Sequence, residues 1–96
     1  MGINQIKVKI KSAEPFLKEK FRVKKIGIFG SYSRGEQRKS SDIDILVEFY
    51  DEPSLFEFIR LERYLKNILK IKVDLVMRDS LKPYIGKHIL DEVIYI

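Results

Sequence analysis

The sequence holds no cysteine and a single histidine, His88. Without cysteine there is no disulfide framework, no thiolate zinc site and no thiol nucleophile. One histidine excludes a multi-histidine metal centre and leaves little room for a Ser-His-Asp triad. No apolar run approaches the ~18–20 residues that cross a bilayer. The opening Met1-Gly2-Ile3-Asn4-Gln5 lacks the apolar core of a secretion signal, so a cytoplasmic location is expected. Internal repeats, low-complexity stretches and linkers are missing too.

What remains is ordinary globular composition. Hydrophobic residues make up 45% and charged residues 34%, which argues against a disordered chain. The 96 residues suffice for one small domain over 1–96, since chains of this size bury roughly 60–65% of their surface on folding. Nineteen Lys and Arg against fourteen Asp and Glu leave a net charge of +5. Such a surface is open to polyanions, among them nucleic acid and nucleotide phosphates. A lysine-rich solvated surface explains the same charge equally well.

Three short apolar runs, over 25–30, 43–49 and 71–77, are rich in β-branched residues and read as strands. The terminal 93–96 is a fourth candidate, either a sheet edge or a packed tail. Ser54 followed by Glu57 forms a capping box and predicts a helix after Pro53 that ends near Leu69. Its apolar stripe is expected from Leu55, Phe58, Ile59, Leu65, Ile68 and Leu69. The N-terminal stretch fits strand alternation (Ile6, Val8, Ile10) and a helical seam alike. A helix over 12–20, capped by Ser12 with Pro15 in its first turn, is favoured, with a further helical turn before it. A last helix is expected over 81–92 with Ser80 as cap. Alternating helices and strands give a sheet with helices packed against it.

The chemistry concentrates where strands begin and end. Asp42 and Asp44 open the second run. Residues two apart in a strand share a face, so both carboxylates point one way, about 7 Å apart. Aspartate is a poor strand former, and two like charges at ~4 Å repel by about 4 kcal/mol at an effective dielectric near 20. A divalent cation removes that repulsion, and hard oxygen donors suit Mg²⁺ or Mn²⁺. Asp74, flanked by Val73 and Leu75, supplies a third carboxylate if its strand neighbours the second. Gly30-Ser31 follows the first run. Gly30 lets the backbone come close to a ligand, while Ser31 either caps the short helix or binds phosphate. Gly35 is placed to end that helix, and Arg34 faces either a triphosphate or solvent.

Taken singly, each feature has a plainer reading. An Asp-x-Asp pair usually decorates a surface, Gly-Ser is a common turn, and Asp74 could be a structural acid. His88 reads as a surface or packing residue, and Arg38 and Lys39 as a solvated loop. Tyr32 either stacks on a base or fills its turn, and the region of Phe56 and Phe58 reads as core, with any leftover apolar face serving a partner. Together, Gly30-Ser31, ten residues, Asp42-Ile43-Asp44 and a later strand acid form a far more specific signature.

That signature resembles the nucleotidyltransferase superfamily that includes the palm of DNA polymerase β. It is most similar to the minimal nucleotidyltransferases, the MntA-type antitoxins that pair with HEPN toxins. The likeness runs through residues 23–35 and 41–48, Val73-Asp74-Leu75-Val76 and Leu81-Lys82-Pro83. It implies an α/β (α+β) nucleotidyltransferase fold, a small mixed β-sheet with helices packed against it. It also implies Mg²⁺-dependent transfer of AMP from ATP. Asp42 and Asp44 would then hold two ions, and Asp74 one of them while it helps to activate the acceptor hydroxyl. Gly30 and Ser31, with Arg34 beside them, would bind the donor nucleotide. In the antitoxin members AMP goes onto a tyrosine of a HEPN ribonuclease. The small size points the same way, because little chain is left to build an acceptor site. A protein partner in a hetero-oligomer is therefore expected. Two other functions compete: a non-catalytic module that neutralises a partner by covering it, and a nucleic-acid-directed transferase subunit. No aromatic-basic recognition strand or helix-turn-helix pattern supports the latter.

Overall fold

Aliphatic residues at alternate positions make 43–49 a strand with a well-buried face. This is β2, Ile43–Phe49, one of the two inner strands of a four-stranded sheet. The computed structural model describes residues 2–96, apart from the side chain of residue 85. β1, Val23–Phe29, runs antiparallel to β2, and β3, Val73–Met77, runs parallel to it on the other side. β4, Ile94–Tyr95, pairs antiparallel with β1 and completes the order β3-β2-β1-β4. The sheet is therefore mixed, and the C-terminal candidate is an edge strand.

One face of the sheet carries the main core. Ile43, Ile45 and Val47 of β2 cluster with Ile6, Ile10 and Leu17 of α1, Ile3–Phe21, and with Leu61, Leu65 and Leu69 of α3, Leu55–Leu69. Strand alternation turns Asp44 to the opposite face.

α1 is longer than the expected 12–20. Ile6 and Ile10 are fully buried while Val8 is 65% exposed, so the helical seam governs this stretch and the strand alternation does not. Pro15 consequently sits inside the helix, not in its first turn. It withholds the N–H that the Lys11 carbonyl would accept, and burial of the seam outweighs that loss.

α3 starts and stops as expected. Ser54 Oγ accepts the Glu57 N–H at 3.2 Å, and Glu57 Oε1 accepts the Ser54 N–H at 3.3 Å. Such caps are worth about 1 kcal/mol. Its buried stripe is rotated, however. Leu61, Leu65 and Leu69 face the core with Phe58 and Ile68 beside them, whereas Leu55, Phe56 and Ile59 remain exposed. α4, Pro83–Glu92, starts at Pro83 after Lys82. Ser80 is not its cap: it ends a 3₁₀ turn, Arg78–Ser80, and its hydroxyl donates to the Met77 carbonyl at 2.8 Å. Among the described residues, no helix is long and apolar enough to cross a membrane.

Gly27 lets β4 lie close on β1. A Cβ at this position would come within 2.7 Å of Val93 Cγ2 and 3.2 Å of the Ile94 carbonyl oxygen. Beyond it, the Ile96 N–H donates to the Ile26 carbonyl at 2.9 Å. Gly27→Val should lift the C-terminal strand away. We expect the Ile96 amide to exchange about tenfold faster or more in hydrogen-exchange NMR.

Candidate active site

Sheet register builds the site. β2 and β3 run parallel with Asp44 directly opposite Asp74, so both side chains leave the sheet on one face. On the other flank Asp44 pairs with Phe29, the last residue of β1. Gly30 follows at once and folds over the Asp44 carboxylate. Its φ of 74° and ψ of −151° belong to a region that glycine alone enters cheaply. A Cβ here would also run into Asp44 Oδ2.

Asp44 shows what this crowding does. Its pKa is pushed up to about 6, first by burial and then by the charge and hydrogen bond of Asp74. Asp42 adds to the push, and the Arg34 guanidinium opposes it. Asp44 is half-buried, while Asp42 and Asp74 are exposed. Asp42 lies one residue outside β2, so strand alternation does not fix its direction as the spacing suggested. Asp44 and Asp74 are thus brought together, and Asp42 stands near enough for its charge to be felt. Among the described residues, no three Asp, Glu, His or Cys side chains are already closed into a metal-binding cluster. The carboxylates are nonetheless hard oxygen donors that a divalent cation could bridge.

α2, Ser31–Arg34, follows Gly30 and ends at Gly35, whose φ of 70° gives a left-handed cap. Gly30, which has no side chain, occupies the N-cap position, so of the two roles open to Ser31 capping falls away. Ser33 Oγ donates to the Gly30 carbonyl at 2.9 Å and braces the turn. Arg34 is exposed and ion-paired. Its Nη1 donates to Glu92 Oε2 at 2.9 Å, and its Nε donates to Glu36 Oε2 at 3.4 Å.

Glu92 escaped the sequence reading. One local signal was available: an acid in the last turn of a helix opposes the macrodipole and needs a reason to be there. The remaining residues fall on the plainer side. Tyr32 is buried in the core, Arg38 and Lys39 are exposed, and His88 is exposed with its ring against Tyr84. Of the pair on α3, Phe58 packs against the core, and Phe56, 74% exposed, belongs to the leftover apolar face.

The family model for the nucleotidyltransferase domain matches residues 10–96. The chain belongs to the nucleotidyltransferase family. It is 55% identical over 80 residues to the protein adenylyltransferase MntA of Thermococcus cleftensis, covering 83% of this chain and 81% of that protein. A solved structure described as a minimal nucleotidyltransferase superposes with a TM-score of 0.84 at 29% identity, covering 98% of this chain and 95% of the other. A crystal structure of a toxin–antitoxin complex with AMP-PNP superposes at 0.73 with 28% identity, over 88% of this chain and 70% of the other. This chain is accordingly a nucleotidyltransferase by family, and its small mixed sheet with packed helices is the fold of these neighbours.

The raised pKa of Asp44 carries a sign that can be checked. Its folded value is about 6 against an ordinary 3.8, so the folded nucleotidyltransferase keeps this proton longer than the unfolded chain does. The contribution of Asp44 to stability must fall as pH rises from about 4 to about 6. In metal-free buffer, Asp44→Asn should remove that slope and melt above the wild type at pH 7. Thermal unfolding of both proteins between pH 4 and pH 7 measures the difference.

Proposed function

We propose that this nucleotidyltransferase is a protein adenylyltransferase that moves AMP from ATP to a tyrosine hydroxyl of a partner HEPN ribonuclease, acting as the antitoxin of that toxin. The observation that carries the reading is the pairing of Asp44 with Asp74 beneath the Gly30-Ser31 turn. The adenylyltransferase name of a close relative and the toxin–antitoxin complex of a structural neighbour support it. In this reading residues 1–96 work as one domain, in the cytoplasm, within a hetero-oligomer.

Asp42, Asp44 and Asp74 would hold two Mg²⁺ ions, with Mn²⁺ as a substitute. The residues fit such ions, because the burial and the neighbouring acids that lift Asp44 to about 6 both disfavour a bare carboxylate, and a divalent cation offsets both. When bound, the ions stabilise the attacking and leaving oxygens of an in-line displacement. Ser31 orients the β- and γ-phosphates, which the bare Gly30 lets come close, and Arg34, paired with Glu92 and Glu36, lies beside them. Asp74, the exposed member of the central pair, meets the incoming tyrosine and takes its proton. The tyrosine oxygen bonds to the α-phosphorus. The bond from that phosphorus to the bridging oxygen breaks, and pyrophosphate leaves with the electron pair.

Neutralisation by covering the partner is the second reading. Leu55 and Phe56, 72% and 74% exposed on α3, favour it as apolar surface available for contact. One experiment separates the two. The chain is incubated with its partner toxin, ATP and Mg²⁺, and the toxin is weighed by intact-mass spectrometry. We expect the mass of added AMP, and a loss of about a hundredfold or more in rate for Asp42→Asn with Asp44→Asn. An unmodified toxin that is still silenced by the Asp42→Asn, Asp44→Asn, Asp74→Asn variant would hand the function to binding alone.

A further inference from the structure

Glu92 is the last residue of α4, and its carboxylate reaches across 62 positions of sequence to the turn over Asp44. Oε1 accepts the Gly30 N–H at 3.0 Å, and Oε2 accepts Arg34 Nη1 at 2.9 Å. Each oxygen has its own donor, and the two donors flank Ser31. The side chain is only 29% exposed. Burial pushes its pKa up, but the bonds from Arg34 and Gly30 outweigh burial and hold it below the ordinary carboxylate value. The pair therefore stays ionised around neutral pH.

Backbone register explains why Glu92 lies there. Ile94 pairs with Ile28 and Tyr95 with Gly27. Glu92 ends the helix just before this strand, and its side chain reaches the Gly30 N–H just past the end of β1. The close approach at Gly27 and the bond from the Ile96 N–H to Ile26 fix that register. Gly30 gains from such a tie, because its own conformation is one that nothing in its side chain can hold. Arg34, free of Glu92, could swing to the acid pair whose field it already moderates.

We infer that Glu92 is a positioning residue for nucleotide binding: it holds Gly30 and Arg34 in place on either side of Ser31, so that the C-terminal helix sets the geometry of the phosphate-binding turn. This rests on the functional reading above. Glu92 acts through the turn and touches no reacting atom.

The conservative variant Glu92→Gln keeps an acceptor for the Gly30 N–H and loses the ionic bond to Arg34. Glu92→Ala loses both. With the partner toxin as acceptor, the Michaelis constant for ATP should rise about tenfold in Glu92→Gln and further in Glu92→Ala. kcat should stay within about twofold in Glu92→Gln, and the Michaelis constant for the toxin should not move. Calorimetric titration of the chain with ATP and Mg²⁺ should show the same weakening without any turnover. In the nucleotide-free protein, the Gly30 amide should exchange faster in Glu92→Ala than in Glu92→Gln. Thermal unfolding checks that each variant is folded, and if Glu92→Ala fails to fold the near-isosteric Glu92→Gln carries the test. Unchanged or tighter ATP binding in folded Glu92→Gln, beside a wild type that binds ATP, overturns the positioning role alone. A wild type that binds no ATP overturns the functional reading, and this role with it.

Discussion

Two carboxylates on adjacent parallel strands repel each other, and much of the site's construction follows from holding them there. β2 brings Asp44 into register with Asp74 because Ile43, Ile45 and Val47 are drawn into the core on the opposite face. A slip of one residue would expose those three side chains, so hydrophobic burial fixes the separation of the acids. The energy comes from aliphatic packing, and the tension is stored where the chemistry is needed. Asp44, lifted to about 6 first by its burial and then by Asp74, bears that tension. A site that is uncomfortable when empty is well matched to a charged ligand that relieves it.

The short-range features could be read from the sequence. Ser54 and Glu57 announce the start of α3 because a capping box is a contact between residues three apart. The Asp42-Ile43-Asp44 and Gly30-Ser31 elements could be read for the same reason, as could Gly35 at the end of α2. Features set by tertiary packing could not. Pro15 pointed to a helix start, yet the seam of Ile6, Ile10 and Leu17 pulls the helix straight through it. The stripe on α3 runs through Leu61, Leu65 and Leu69, and burial by the sheet is what separates Leu61 from the exposed Leu55 and Ile59. Glu92 is the extreme case. Its role depends on a two-residue strand pairing with β1, and no window of sequence contains both partners.

The nucleotidyltransferase signature and the coordinates therefore describe different parts of one device. The signature names Gly30, Ser31, Asp42, Asp44 and Asp74, the residues that the proposed reaction would set against the nucleotide and the ions. The coordinates add what supports them: Ser33 bracing Gly30, Glu92 tying the turn to the C-terminal helix, and Arg34 held between Glu92 and Glu36. Ser33 and Glu36 are local supports, and Glu92 adds one from a distant part of the chain, because a turn whose key residue has no side chain is best restrained from outside itself.

The brevity of β4 has one more effect. It lies along only Gly27 and Ile28, so the outer rim of β1 from Val23 to Lys25 has no neighbouring strand among the described residues. An open rim of backbone N–H and C=O groups invites any extended peptide to zip on. Here the exposed Lys24 and Lys25 stand guard, the latter with its ammonium 5.5 Å from the centre of the Tyr95 ring. Charged side chains along such a margin disfavour edge-to-edge pairing of strands.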